Sequence, residues 1–97
     1  MYILIGDIGN TITKICLINT NNFKVKKIIY LNSKNIPINT ILKKKLKYLI
    51  DNENINKYAL FSSVVPKYKI LLDRFFKKKY NVFIREIKDS KMLRIGK

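Results

Sequence analysis

MYILIGDIGNTITKICLI, residues 1–18, consists of two apolar runs separated by the polar stretch Gly6-Asp7-Ile8-Gly9-Asn10-Thr11. This pattern predicts a strand, a turn and a second strand. From Asp7 to Thr11 the turn carries a carboxylate, a glycine, a carboxamide and a hydroxyl. Such groups can hold a phosphate and its metal ion, through backbone N–H groups and oxygen ligands. The alternative is a tight hairpin with no ligand, because aspartate, glycine and asparagine also favour turns for steric reasons.

The length and charge of the chain limit its possible functions. With 97 residues it can form one small domain, but not two full lobes around a cleft. Its 21 basic and 6 acidic residues give a net charge of +15, which ordinarily suggests a nucleic-acid or anionic membrane partner. However, only Arg74, Arg85 and Arg94 are arginines, and isoleucine and asparagine, which are not basic, are also abundant. We therefore interpret the charge as a compositional bias and do not expect a nucleic-acid partner.

Three further features predict a soluble, cytoplasmic protein. Cys16 is the only cysteine and cannot form an internal disulfide, which fits a reducing compartment. Its place in the middle of a predicted strand favours a buried side chain over a reactive thiol. The first apolar run lacks the preceding basic segment of a signal peptide, and no stretch reaches the roughly 18 apolar residues of a membrane span.

Hydrophobic periodicity predicts three strands and a helix in the first half of the chain. The strands cover residues 2–6, 13–18 and 23–30, with a second turn at 19–22, and should form an antiparallel meander. After a loop at residues 31–38, Asn39 or Thr40 can cap a helix. The apolar positions of this helix are Ile41, Leu42, Leu46, Leu49 and Ile50, and its solvated face is Lys43, Lys44, Lys45 and Lys47.

The second half of the chain alternates strands and a helix. A short apolar run at residues 58–62 predicts a buried strand, and the helix that follows covers about residues 67–80. The apolar face of that helix is Ile70, Leu71, Leu72 and Phe75. A last strand is predicted at about 82–87, and a small strand-like piece at 92–95. The predicted order is therefore βββαβαβ.

This order and the first turn together resemble a known superfamily. Three antiparallel strands followed by α, β, α and β are similar to the first subdomain of the acetate kinase, sugar kinase, Hsp70 and actin superfamily. The turn D-I-G-N-T, from Asp7 to Thr11, is similar to the first phosphate motif of that superfamily. With Lys14 and the later stretch Ser62-Ser63-Val64-Val65-Pro66, the chain resembles the amino-terminal half of a type III pantothenate kinase, including the related Bvg accessory factor group. The fold implied is α/β, a ribonuclease H-like (actin-like ATPase) subdomain whose mixed sheet carries packed helices.

The resemblance implies that the first hairpin binds ATP. The implied nucleotide-binding residues are Asp7, Ile8, Gly9, Asn10, Thr11, Ile12, Thr13 and Lys14. Glycine at position 9 should allow unusual backbone angles, so that the N–H groups of Gly9, Asn10 and Thr11 face the β and γ phosphates. Asp7 should hold Mg²⁺ directly or through water.

The roles of five side chains follow from their chemistry and spacing. The hydroxyls of Thr11 and Thr13 can donate to phosphate oxygens, and Lys14 can add a charge near the γ phosphate. Since Thr13 and Lys14 are neighbours on a strand, they should face opposite sides of the sheet, so only one should contact the nucleotide. Ser62 and Ser63 either line the cleft or close the turn before the next helix.

For the intact family, the implied reaction transfers the γ-phosphoryl group of ATP to the 4′-hydroxyl of pantothenate, on the route to coenzyme A. A homodimer, Mg²⁺ and a monovalent cation (K⁺ or NH₄⁺) are implied as well. The G-A-D-R motif with the general base, the second phosphate motif and the adenosine-binding segment do not occur in these 97 residues. We therefore expect residues 1–97 to form the first lobe of a two-lobe kinase, with no catalytic residue of their own and no activity alone. Two alternatives are a non-catalytic, nucleotide-binding regulator like Bvg accessory factor, and a basic nucleic-acid-binding domain.

Overall fold

The computed structural model describes residues 1–87, which contain five strands, two α-helices and one short 3-10 helix. In chain order these are β1 (Tyr2–Ile8), β2 (Ile12–Asn19), β3 (Val25–Asn32), the 3-10 helix (Ser33–Asn35), α1 (Asn39–Ile50), β4 (Tyr58–Ser63), α2 (Pro66–Tyr80) and β5 (Phe83–Glu86). The predicted order βββαβαβ is confirmed. The strand-like piece predicted at 92–95 lies outside the described residues.

The strands form one mixed sheet in the order β3-β2-β1-β4-β5. The pairs β1–β2 and β2–β3 are antiparallel, which confirms the predicted meander. The pairs β1–β4 and β4–β5 are parallel. The chain reaches β4 through α1 and β5 through α2, which are the helical crossovers that strands parallel to a neighbour require. This α/β architecture agrees with the predicted first subdomain of an actin-like ATPase.

The two faces of the sheet differ in what covers them. On the face that we call the helix face, alternate strand residues such as Leu4, Ile15 and Phe61 pack with the buried side chains of both helices, among them Leu46 and Phe76. Side chains on a strand alternate between faces, so the residues between them lie on the other side. That side, which we call the Asp7 face, includes Ile5, Asp7, Lys14, Cys16, Leu60 and Ser62.

β1, β2 and the end of β3 extend further than the sequence pattern predicts, whereas β3 begins at Val25 instead of residue 23 and β5 covers Phe83–Glu86 instead of 82–87. Asp7 and Ile8, expected in the turn, lie in β1, because β1 is paired with a strand on both sides as far as Ile8. Residues 31 and 32, expected in a loop, prolong β3, and Asn32 pairs with Ile12. Pairing with neighbouring strands thus overrides the local preference of polar residues for turns.

The start of α1 differs from its prediction. The helix begins at Asn39, but its N-cap residue is Ile38, and no side chain within residues 1–87 caps it. The prediction that Asn39 or Thr40 provides the cap is therefore wrong. The backbone before the helix is already turned, since the Ile38 N–H donates to the Asn35 carbonyl at 2.9 Å. Both polar residues are consequently placed inside the helix rather than ahead of it.

The apolar face of α2 is rotated from its predicted position. The helix starts with Pro66, which suits the first turn because its missing N–H has no intrahelical partner there. Leu72 and Phe76 are fully buried, and Leu71 and Phe75 are partly buried. Ile70, predicted in the core, is 49% exposed. Apolar residues stand next to one another at 70–72 and again at 75 and 76. The helical period of the apolar residues therefore does not by itself define the centre of the buried face.

Several other predictions are confirmed by residue burial. The four lysines predicted on the outer face of α1 are exposed, whereas Leu42, Leu46, Leu49 and Ile50 are buried. Ile41, expected with them, lies at the margin and is 36% exposed. Cys16 is fully buried, and burial raises the pKa of its thiol, although the positive charge of Lys14 opposes the shift.

Within residues 1–87 no helix is both long and apolar enough to cross a membrane.

Candidate functional site

The hairpin between β1 and β2 exposes two backbone N–H groups at its tip. The hairpin is closed by the Gly9 N–H, which donates to the Ile12 carbonyl at 3.1 Å. Asn10 and Thr11 form the tip, and both are exposed. In the part of the chain that the structure describes, neither of their N–H groups donates to a protein atom. Unpaired N–H groups in a turn attract anions, so the tip has the properties of a phosphate-binding loop.

Gly9 is required for a different reason from the one predicted. Its backbone does not adopt left-handed φ values, so unusual backbone angles do not explain the glycine. A β-carbon at this position would lie 2.8 Å from the Ile12 carbonyl oxygen. That distance is too short, and the oxygen belongs to the backbone and cannot swing away. Because the Gly9 N–H is engaged in closing the hairpin, Asn10 and Thr11 provide the free N–H groups instead.

Three polar side chains form a row across the Asp7 face, directly below the hairpin. Asp7 in β1 is paired with Lys14 in β2 and with Ser62 in β4. Directly opposite residues of antiparallel strands have Cβ atoms about 4.5–5.5 Å apart, so Asp7 and Lys14 are neighbours on this face. Asp7 is exposed, Lys14 is half-buried and Ser62 is 9% exposed. The row thus combines one negative, one positive and one neutral polar group.

Thr13 lies on the opposite side of the sheet from this row. It is fully buried on the helix face, and its Oγ1 is 2.7 Å from Oγ of Ser33, which is also fully buried. The predicted separation of Thr13 and Lys14 onto opposite faces is therefore confirmed. Lys14 is the one of the two that shares a face with Asp7, and the Thr13 hydroxyl is already used inside the protein.

The two isoleucines of the predicted site, Ile8 and Ile12, form hydrogen bonds around the hairpin through their backbone carbonyls. The Ile8 side chain is fully buried in the core, and its carbonyl accepts a hydrogen bond from the Val64 N–H at 3.0 Å. The Ile12 side chain is 47% exposed beside the tip, and its carbonyl closes the hairpin. Through the Ile8 carbonyl, the S-S-V-V-P stretch is joined directly to the end of β1.

Ser62 and Ser63 have different surroundings. Ser62 shares the Asp7 face, next to Asp7 itself. The Ser63 hydroxyl instead donates to the Val65 carbonyl and accepts from the Val65 N–H, both at 3.1 Å. Ser63 thus closes the turn that leads into α2, one of the two roles considered for it. Ser62 is the serine whose position agrees with a cleft-lining role.

Ser33 is a residue of the site that sequence reasoning did not find. It lies in the stretch predicted as a loop, yet it is fully buried behind the hairpin. Its hydroxyl donates to the Gly9 carbonyl at 2.6 Å, and its N–H donates to the Thr11 carbonyl at 2.8 Å. No local signal distinguishes this serine from other loop serines, since its partners come from a hairpin more than 20 residues earlier.

The described residues fit a magnesium ion that is held jointly with phosphate. Residues 1–87 contain no group of three acidic, histidine or cysteine side chains that could enclose a metal ion. Mg²⁺ in nucleotide sites, however, usually takes one or two carboxylates, with phosphate oxygens and water as the other ligands. The exposed carboxylate of Asp7, beside the free N–H groups of the tip, meets that need.

Comparison with known proteins gives two concordant matches. The family model of type III pantothenate kinase matches residues 3–95. The chain is also 45% identical over 86 residues to a type III pantothenate kinase of Pelagibacter ubique (strain HTCC1062). That similarity covers 89% of this chain but 34% of the relative, so the chain spans about a third of the length of the relative that it matches.

Proposed function

Because the chain belongs to the type III pantothenate kinase family, we propose that it forms the phosphate-binding lobe of a kinase that transfers the γ-phosphoryl group of ATP to pantothenate. The match confirms the resemblance inferred from D-I-G-N-T and S-S-V-V-P. The observation that carries the proposal is the pair of N–H groups of Asn10 and Thr11, which donate to no protein atom within residues 1–87 and lie next to the row formed by Lys14, Asp7 and Ser62. The biosynthesis of coenzyme A is the pathway that the family indicates.

In this proposal the hairpin tip holds the β and γ phosphates of ATP. The N–H groups of Asn10 and Thr11 donate to phosphate oxygens, and the exposed Thr11 hydroxyl can add a third donor. Lys14 provides a positive charge on the same face as Asp7. Since the tip is supported by two paired strands, these donors are held in position before the nucleotide binds.

Asp7 is proposed to hold Mg²⁺ against the phosphates, directly or through water. A magnesium ion bound there would neutralise charge on the phosphate oxygens. Asp7 fixes where this charge is placed, and Ser62 offers a neighbouring hydroxyl to the water molecules of the site. Catalysis in phosphoryl transfer consists largely of positioning and charge neutralisation, which these residues can provide for the ATP half of the reaction.

Three of the four other acidic residues of the described part are occupied in structural contacts, and the fourth, Asp51, follows α1. Glu53 forms ion pairs with Lys26 and Lys27, at 3.0 and 3.1 Å. Asp73 accepts from the Ile84 N–H at 3.2 Å and pairs with Lys77, while Glu86 pairs with Lys69. Of these carboxylates Glu86 lies nearest to the hairpin, because it pairs with Phe61 of β4, which pairs with Gly6 of β1, and Glu86 is engaged with Lys69. We therefore propose that the general base and the pantothenate contacts come from a second lobe, and that a homodimer and a monovalent cation belong to the complete enzyme.

The two alternative functions gain no support from the described residues. The nucleic-acid alternative came from the net charge of +15. The lysines of α1 form a solvated helix face that carries one exposed ring, Tyr48, whose ring centroid lies 5.1 Å from Nζ of Lys27, so stacking residues are sparse on that face. A non-catalytic regulator would use the same nucleotide site, and no separate feature of residues 1–87 favours it.

The decisive experiment measures Mg·ATP binding by the chain and by Asp7→Asn. Isothermal titration calorimetry, with Mg²⁺ and then with EDTA, gives both the affinity and its metal dependence. We expect Asp7→Asn to weaken Mg·ATP binding by about 10–100-fold, since a contact to a charged group contributes about 1.5–3 kcal/mol. The Mg²⁺ dependence should disappear in the variant. In a complete kinase that contains this chain, the same change should lower turnover without unfolding the protein.

A matched control makes the same chemical change at the other end of the sheet. Asp51 follows α1, and the segment just after it is hydrogen-bonded to Tyr2 at the start of β1. The hairpin lies at the opposite end of β1. Asp51→Asn should leave Mg·ATP affinity within about twofold of the unchanged chain, a difference under 0.5 kcal/mol. Equal affinities of Asp7→Asn and the unchanged chain would contradict the metal role of Asp7. A folded chain that binds no Mg·ATP would contradict the phosphate-binding role itself.

A further inference from the structure

We propose that Thr13 and Ser33 are positioning residues, which hold the hairpin tip in its phosphate-binding shape through a relay of two buried hydroxyls ending at the Gly9 carbonyl. The relay consists of the Thr13–Ser33 hydrogen bond of 2.7 Å and the Ser33–Gly9 hydrogen bond of 2.6 Å. Its effect on nucleotide affinity rests on the proposed function, whereas its effect on the hairpin does not.

The direction of both hydrogen bonds follows from counting protons. A serine hydroxyl has one proton, and the Gly9 carbonyl can only accept. The Ser33 hydroxyl must therefore donate its proton to Gly9, so the Thr13 hydroxyl must be the donor to Ser33. The relay runs in one direction, from Thr13 through Ser33 to the hairpin. Hydrogen bonds in such a chain polarise and strengthen one another.

The geometry of the peptide bond transmits the relay to the exposed side of the tip. The Gly9 carbonyl and the Asn10 N–H belong to one planar trans peptide unit, in which C=O and N–H point in opposite directions. Ser33 holds the Gly9 carbonyl toward the protein interior. The Asn10 N–H is consequently directed outward, where a phosphate oxygen would be bound.

A second tether from Ser33 holds the other side of the tip. The Ser33 N–H donates to the Thr11 carbonyl at 2.8 Å. One residue thus fixes two carbonyls that flank the exposed Asn10–Thr11 segment. Both side chains of the relay are fully buried, so water cannot replace a missing hydroxyl without entering the core.

The test compares variants that remove or keep the hydroxyls. Ser33→Ala removes both side-chain hydrogen bonds, and Thr13→Val removes the first donor while keeping the side-chain shape. Thr13→Ser is the conservative variant, because it keeps the hydroxyl. Thr20→Val is the matched control: its hydroxyl bonds to the Met1 carbonyl at 3.1 Å, past the other end of β2. Circular dichroism establishes that each variant is folded.

Two measurements separate the relay from the proposed function. Backbone ¹⁵N relaxation of the 97-residue chain reports the order of Gly9, Asn10 and Thr11 without any ligand. We expect order parameters near 0.85 in the unchanged chain and values falling toward 0.6 in Ser33→Ala, with Thr13→Val between them. Mg·ATP affinity, measured by calorimetry, should fall roughly tenfold in Ser33→Ala, the factor for one hydrogen bond to a charged group.

We expect a loosened hairpin and weaker Mg·ATP binding in Ser33→Ala and Thr13→Val. In Thr13→Ser and in Thr20→Val, hairpin order and Mg·ATP affinity should match those of the unchanged chain. Unchanged order parameters in both deletion variants would overturn the relay. A loosened hairpin with unaltered Mg·ATP affinity would overturn its positioning role. If the unchanged chain binds no Mg·ATP, the proposed function fails, and the order parameters alone support or overturn the relay. If Ser33→Ala does not fold, Thr13→Val against Thr13→Ser provides the same comparison.

Discussion

Replacing Gly6 by alanine should destabilise the protein strongly, although the same change in an open strand would stabilise it. Gly6 is paired with Phe61 of β4 and has no side chain, so the Phe61 ring lies over its α-carbon. A β-carbon at position 6 would lie 2.6 Å from Cδ2 and Cζ of that ring and closer still to Cε2. The ring is fully buried and packs edge-on against Phe76, with 5.8 Å between ring centroids, so it cannot rotate away.

The magnitude follows from comparing two opposing effects. Gly→Ala at an unstrained site stabilises a protein by about 0.4–1 kcal/mol, because it restricts the unfolded chain. Overpacking of a filled core costs about 1–3 kcal/mol. Overlap with three ring atoms places Gly6→Ala at the upper end of that range, so we expect a net loss of about 2 kcal/mol. For a domain of this size that loss lowers the melting temperature by about 8–16 °C.

Urea unfolding followed by circular dichroism measures this loss, and Phe61→Leu provides the matched variant. The smaller leucine side chain makes room for the new methyl group, so the double variant should be more stable than the sum of the single changes predicts. We expect a coupling energy of at least about 1 kcal/mol, as contacting residues commonly show. A Gly6→Ala variant as stable as the unchanged chain, or additive effects in the double variant, would refute the overlap. Because Asp7 follows Gly6 directly, the single variant should also weaken Mg·ATP binding.

Three further outcomes are expected. Gly9→Ala should weaken Mg·ATP binding more than Asn10→Ala does, because the β-carbon of the new alanine meets the Ile12 carbonyl. Calorimetry on both variants measures the difference, and equal affinities would contradict this prediction. The ion pairs of Glu53 with Lys26 and Lys27 lower the pKa of Glu53 below its ordinary value of 4.5. Their contribution to the stability of the fold is therefore present above pH 4.5 and is lost as the pH falls through the lowered pKa. Urea unfolding of Glu53→Gln should therefore show reduced stability at pH 7 and a difference that shrinks in acid; a constant difference would contradict the assignment. Cys16, buried and with a raised pKa, should resist iodoacetamide in the folded chain and react in guanidinium chloride, as mass spectrometry can show.

Local patterns were sufficient to predict most of the fold and the hairpin of the candidate site. Strand alternation and turn residues determine structure within a few neighbouring positions, and both are legible in the chain itself. They predicted the order βββαβαβ, the hairpin at D-I-G-N-T, and the placement of Thr13 and Lys14 on opposite faces. The same locality explains why the lysines of α1 were correctly predicted to be solvated.

Contacts between distant segments were decided by the tertiary structure. Ser33 meets the hairpin because β3 pairs with β2, and Ser62 lies beside Asp7 because β4 pairs with β1. Gly9 is needed for a close approach to a carbonyl rather than for its backbone angles. The buried face of α2 is centred on Leu72 and Phe76 because these side chains pack into the core against the sheet, Phe76 on Phe61. Local preferences are weak compared with strand pairing and close packing, so the residues that meet across the chain depend on the assembled fold.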